Sequence, residues 1–247
     1  MTHANGKWTE SVVYRFPGKP SPGFAYNGMI SDGALVSQRN KVQALGLAGR
    51  LDLIFNNAGI AWGGDTELLT LEQWNAIIDV NIRGVVHGVA AAYPVMLRQR
   101  HGHIVNTASM AGLTAAGQIT SYVMTKHAVV GLSLALRSEA VSRGVGVLAI
   151  CPDAVETPIL DKGAIGGFVG RDYYLRGQGM KSAYDQDRLA RDTLRAIERN
   201  KALLVVPRRA HASWVFARLA PGLLQRFSVG FVERQRALQA ARSPARR

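Results

Sequence analysis

A chain of 247 residues that is 47% hydrophobic and 19% charged can bury a full core, which excludes intrinsic disorder and collagen-like repeats. The net charge of +13 divides as +4 over residues 1–50, zero over 51–200 and +9 over 201–247, so the body is neutral and the basicity belongs mostly to the C-terminal part. No apolar run reaches the roughly eighteen residues of a membrane-spanning helix, the best stretch being interrupted by His87 and Pro94. The N-terminus has no signal-peptide layout, and the single cysteine, Cys151, allows no internal disulfide and fits a reducing compartment. A cytoplasmic protein is expected.

In chain order, residues 12–16 read as one plausible strand, followed by a Pro/Gly-rich loop over 17–28. Residues 51–55, 103–107, 146–151 and 203–206 are short apolar runs without alternation, as in strands covered on both faces. Connections of roughly forty to fifty residues are too long for hairpins and suit helical crossovers, so these strands should be parallel, in a doubly wound α/β sheet. Leu71, Trp74, Ile78, Ile82, Val85 and Val86 fall at helical spacing in the first crossover; 128–136 and 189–197 supply helices in the next two. From Trp214 to Leu238, apolar residues are interleaved with arginines and broken at Pro221 and Gly222, a pattern for two basic amphipathic helices.

Ligands of open parallel sheets bind beyond the carboxyl ends of the strands. Those ends carry Asn56, Asn57, Ala58 and Gly59, then Ser109, then Cys151, Pro152 and Asp153. Any one of them is as well explained by an ordinary turn; three together favour a site. Tyr122 and Lys126 are four apart in a helical stretch and project from one face, where an ammonium would pull a phenol's pKa down and make it a usable proton donor. Taken alone, the pair is better explained as a solvent-facing helix pair. His101 and His103 lack a third ligand at sensible spacing, and no metal site is expected.

The ordered set Asn56-Asn57-Ala58-Gly59, Asn81, Ser109, Tyr122-x-x-x-Lys126 and Pro152-x-x-Val155-x-Thr157 resembles the short-chain dehydrogenase/reductase family, over about residues 45–207. The resemblance implies a Rossmann-like fold and an NAD- or NADP-dependent oxidoreductase acting between an alcohol and a ketone or aldehyde. It casts Tyr122 as general acid/base, Lys126 as its pKa-lowering partner and ribose ligand, Ser109 as holder of the carbonyl, and Asn81 as anchor of a proton-relaying water. For Asn81, a buried amide that merely satisfies backbone groups is the plainer alternative. Val155 and Thr157 would face the nicotinamide, and Asn56, Ala58 and Gly59 the adenosine side. The segment between Ile159 and Tyr184 would be a mobile substrate lid whose aromatics suit an apolar substrate, or a loop packing its own rings. A homodimer or homotetramer is implied.

The family's Gly-x-x-x-Gly-x-Gly turn, which brings backbone N–H groups to the cofactor pyrophosphate, is absent from all 26 glycines. Residues 1–44 are therefore expected to form no cofactor-binding βαβ unit, leaving the sheet incomplete at its N-terminal half. Asp153 also stands where the family usually has glycine. The division expected is an atypical segment 1–44, a catalytic core 45–210 and a basic amphipathic tail 211–247. That tail would meet an anionic membrane surface or a partner subunit, not nucleic acid, for which no reading module appears. The rival to an enzyme is a non-catalytic remnant of the family, serving as a dimerising or membrane-surface interaction protein.

Overall fold

The computed structural model describes residues 2–4, 7–9, 51–175 and 180–242. Two short strands, β1 (Thr2–Ala4) and β2 (Lys7–Thr9), pair antiparallel with each other. The remainder of residues 1–44 lies outside the described residues, and so does the expectation that this segment lacks the βαβ unit.

The central sheet holds β3 (Leu53–Asn56), β4 (Gly102–Thr107), β5 (Val145–Pro152) and β6 (Leu203–Val206), all parallel and adjacent in chain order. Every residue of β5 and the middle four of β4 are buried, which is why their sequences show no polar alternation. The first crossover contains α1 (Leu71–Ile78) and α2 (Gly84–Gln99); α3 (Thr120–Ala140) fills the second, and α4 (Gly170–Tyr174) with α5 (Gln186–Glu198) the third. On one face Ala91, Ala92, Val95 and Met96 of α2 pack on Ile54, Ile104, Val145 and Val147, and Val129 and Val130 of α3 join beside them. On the opposite face Ala196 and Ile197 of α5 cover Val105, Leu148, Ile150 and Leu204. The sheet is thus wound on both sides, as the long connections require.

Between α1 and α2 the chain makes a π-helical turn, Asp79–Arg83, and this displaces the expected apolar stripe. Leu71 and Val86 are exposed, whereas Ile77, Asn81 and Val85 face inward. The wider turn inserts extra backbone into the 3.6-residue repeat and rotates the buried face, something a periodicity count cannot register. By length and composition alone the continuous run Leu71–Gln99 is apolar enough to cross a membrane, contrary to the reading of the sequence. In the fold its inward positions lie against the sheet.

Two helices end the described chain, α6 (Arg208–Leu219) and α7 (Pro221–Arg242), broken where Pro221 was expected to break them. Helix α7 is seated on the body: Arg236 forks onto the Asp65 carboxylate at 2.9–3.1 Å, Gln239 and Gln118 exchange amide hydrogen bonds at 3.1 Å, and Phe231 meets Tyr173 edge-on at 5.1 Å. Arg236 holds the Asp65 carboxyl below its ordinary pKa.

His103, in β4, is 8% exposed, and its Nε2 finds no hydrogen-bond partner among the described residues. Burial, with a smaller push from Arg137, drives its pKa down from 6.5 to about 4. The unfolded chain takes up this proton below about pH 6.5 while the folded chain resists to about 4, so stability is full above that window and falls through it. The total loss is about 3 kcal/mol, at about 1.4 kcal/mol per pKa unit. Urea midpoints measured across the window should fall less steeply for His103→Gln than for wild type; equal slopes would contradict this source of acid sensitivity.

Candidate functional site

The register of the sheet brings the carboxyl ends of β3, β4 and β5 to one edge. Asn56 is level with Asn106 and Thr107 with Ile150, so the chains leaving these strands emerge side by side. Ala108 extends the ladder, its N–H donating to the Ile150 carbonyl at 2.9 Å, which places Ser109 beside Cys151. Ser109 then starts a short 3-10 turn, Met110–Gly112, and accepts the Ala111 N–H at 3.2 Å. That turn lies directly on α3. A Cβ at Gly112 would come within 2.5 Å of the Lys126 carbonyl, so only glycine permits this approach.

On α3, Tyr122 and Lys126 share a face, as their spacing requires. The Ser109 side chain lies near enough to the Tyr122 hydroxyl to stabilise its phenolate, and Lys126 Nζ lies 5.4 Å from the centre of the Tyr122 ring. Lys126 is only 2% exposed and donates to the Thr107 carbonyl at 2.8 Å. Burial pushes the Tyr122 phenol up to about 12 and pulls Lys126 down to about 8. This reverses the expectation that Lys126 depresses the phenol: desolvation of the hydroxyl dominates, and the opposing pull comes from Ser109. Cys151, fully buried and pushed up to about 12 by burial, lies near enough to both to interact electrostatically with each. It is a neutral thiol under the site.

Asn81 reaches the site from the π-helical turn. Its Oδ1 accepts the Ile60 N–H at 2.9 Å, and its Nδ2 donates to the Ile60 carbonyl at 2.9 Å and to Thr125 Oγ1 at 3.0 Å. The amide thus ties the chain leaving β3 to α3 and satisfies backbone groups, the plainer of the two readings. Gly59 lies in the same chain; a Cβ there would meet Lys126 Nζ at 3.4 Å and Asn81 Oδ1 at 3.6 Å. Ala58 precedes it, half-buried. Asn57 accepts from the Thr107 hydroxyl at 2.8 Å.

Asn56 points elsewhere. Its amide donates to Asn106 Oδ1 at 2.8 Å, Asn106 donates to Ser133 at 2.9 Å, and Gly88 of α2 packs so closely that a Cβ would fall 1.8 Å from Asn56 Oδ1. This residue is committed to the seam between sheet and helices. Asp153 is likewise engaged: its carboxylate accepts the Ala154 N–H at 2.9 Å and pairs with Arg209 at 3.2 Å, so its charge is turned into the exit loop of β5. Val155 bridges to Tyr184, and the Thr157 hydroxyl donates to the Val155 carbonyl at 3.4 Å.

The segment expected as a lid is anchored at several points. Ile165 donates to the Gly63 carbonyl at 2.8 Å, Gly63 donates to Gly163 at 2.8 Å, and Arg171 clamps both Glu156 and Asp161. Phe168, Tyr173 and Tyr174 form one aromatic cluster with Tyr122 and with Phe231 of α7. Burial raises the Tyr174 phenol, and the nearby Tyr122 hydroxyl raises it further. The sequence placed Tyr174 only among the aromatics of the expected lid and Cys151 only at a strand end, and it gave Phe231 no site role. Phe231 arrives through a contact distant along the chain, with Tyr173.

Residues 34–164, just over half of the chain, match the model of the short chain dehydrogenase family. A 3-oxoacyl-[acyl-carrier-protein] reductase of Staphylococcus aureus is 33% identical over 152 residues, 62% of this chain and 61% of the relative. A cyclohexanol dehydrogenase of Acinetobacter is 39% identical over 118 residues, 47% of each chain. The chain therefore spans about three fifths or less of these relatives' length. Among solved structures, a short chain dehydrogenase/reductase from Burkholderia phymatum in complex with NAD superposes with a TM-score of 0.64 at 30% identity, over 76% of this chain and 74% of that one. A short-chain dehydrogenase from Sphingobium yanoikuyae in complex with NADPH shares the fold, with a TM-score of 0.63 at 24% identity, over 78% of this chain and 70% of that one. With the parallel sheet and the clustering of Ser109, Tyr122 and Lys126, these matches make the chain a member of the short-chain dehydrogenase/reductase family.

Proposed function

We propose that the chain binds NAD or NADP and interconverts an alcohol with a ketone or aldehyde of apolar character. The observation that carries this reading is the Tyr122 phenol, set beside Ser109 and backed by the buried Lys126 ammonium at the carboxyl edge of the sheet. With its pKa near 12 the phenol holds its proton at neutral pH and can donate it to a substrate oxygen steadied by the Ser109 hydroxyl. Tyr174, Tyr173, Phe168 and Phe231 surround that position with rings, which favours an apolar substrate.

The residues present suit the nicotinamide half of such a cofactor. Lys126 is a buried ammonium faced by Gly59, whose missing side chain leaves approach to a ribose hydroxyl unobstructed. Lys126 and Tyr122 would hold that ribose, Val155 and Thr157 the carboxamide, and Ala58 and Gly59 the adenosine side. A bound nicotinamide supplies the hydride; the protein orients the partners and moves the proton. The Burkholderia phymatum structure with NAD and the S. aureus and Acinetobacter relatives support the cofactor class and the alcohol–carbonyl chemistry. Family resemblance further supports a homodimer or homotetramer in the cytoplasm.

The reading is tested by incubating the full chain with NADH or NADPH and a panel of apolar ketones and aldehydes. Consumption of one cofactor with stoichiometric alcohol formation is expected. No turnover with either cofactor across the panel would favour the non-catalytic remnant, which the missing Gly-x-x-x-Gly-x-Gly turn also suits.

A further inference from the structure

We propose that the hairpin of α6 and α7 docks on the surface of an anionic phospholipid bilayer. Leu219, Phe227, Leu223 and Phe216 are 79%, 62%, 48% and 39% exposed. They form one patch, because the rings of Phe216 and Phe227 meet across the hairpin at 6.4 Å while Leu219 and Leu223 flank the turn between the helices. Large apolar side chains gathered at a protruding turn mark a contact surface more than scattered ones do.

Charge selects the occupant. No Asp or Glu occurs between Glu198 and Glu233, and the hairpin carries Arg218 and Arg226, both exposed and next in sequence to Leu219 and Phe227. Arg218 additionally lies 5.7 Å from the centre of the Trp214 ring, an arrangement that suits an interface between apolar and aqueous surroundings. A second copy of the chain would bring the same basic rim against itself, and like charges would oppose the contact. An anionic headgroup layer complements the rim, and the acyl boundary beneath it accepts the four apolar side chains.

The hairpin presents this patch from a fixed base. Toward its C-terminal half α7 is held to the body by Arg236 on Asp65, Gln239 on Gln118 and Phe231 on Tyr173, so docking requires no unfolding of the helix. The proposal stands apart from the catalytic reading, since it concerns residues that touch no reacting group.

The test is flotation of the full-length protein with vesicles of phosphatidylcholine alone or with added phosphatidylglycerol, at low and physiological salt. Wild type is expected to float with the anionic vesicles and to be released by salt. Leu219→Ser combined with Phe227→Ser should lower the affinity for the vesicles about a hundredfold, each being worth about a tenfold step when an exposed large apolar side chain is buried. Arg218→Gln with Arg226→Gln should lose binding to anionic vesicles at low salt; this pair carries the test should the serine pair perturb the hairpin, which its melting curve reveals. Wild type that ignores anionic vesicles at low salt would overturn the proposal, as would variants that float like wild type. Sedimentation showing that either pair dissociates an oligomer, without any change in flotation, would assign the patch to a second copy instead.

Discussion

Tyr122→Phe is expected to lower turnover by about 10²- to 10⁴-fold, the usual contribution of a positioned proton donor. The substitution removes one oxygen and keeps the ring, so packing against Tyr173, Tyr174 and Phe231 survives and cofactor affinity should fall far less than turnover, by no more than the one bond to the ribose. Lys126→Ala should behave differently. It removes both the buried ammonium and its bond to the Thr107 carbonyl, so cofactor binding and turnover should fall together. Steady-state kinetics with a matched cofactor titration separates the two variants. Turnover that persists in Tyr122→Phe would remove this residue from the chemistry.

The second large effect concerns stability. Asn81→Ala strips the Ile60 N–H and carbonyl of their partners and breaks the link to Thr125, at a fully buried position. Leaving such groups unsatisfied costs about 1–3 kcal/mol each, so an overall loss of about 2–6 kcal/mol is expected. The chain from Asn57 to Ile60 would also lose its tie to α3 beside Lys126, weakening cofactor binding. Urea unfolding of the variant, with and without cofactor, measures both. A variant as stable as wild type but without turnover would show that Asn81 acts in proton relay, as the family resemblance implies, and not by holding Ile60.

The fold was legible where burial writes directly into composition. β4 and β5 are covered on both faces, so their runs of Val, Ile and Leu stand out, and the distances between runs forced parallel crossovers. Tyr122 and Lys126 were legible because a helix turns spacing into proximity. The stripe through the first crossover was misplaced because the π-turn at Asp79–Arg83 changes the rotation without changing the residue types. Asn56 took its place on the cofactor side from the family resemblance; its side chain faces Gly88 and Asn106, contacts that spacing cannot show. The direction of the Tyr122 pKa shift was misjudged for a related reason: spacing shows that an ammonium is near, and only the fold shows how thoroughly the hydroxyl is desolvated. The docking of α7 was illegible because its anchors join residues far apart in the chain, as Arg236 and Asp65 do. A basic segment read alone looks like a solvated tail.

The central claim is that the cluster of Ser109, Tyr122 and Lys126 serves a nicotinamide cofactor despite the missing glycine turn. Titration of the full chain with NADH and with NADPH, followed by fluorescence or calorimetry, tests it most directly. The account predicts saturable binding of one or both, weak because the usual pyrophosphate turn is missing from the sequence, and weaker still in Lys126→Ala. Absence of binding to either cofactor at millimolar concentration, in protein whose unfolding curve shows it to be folded, would contradict the account and leave a family fold without its chemistry.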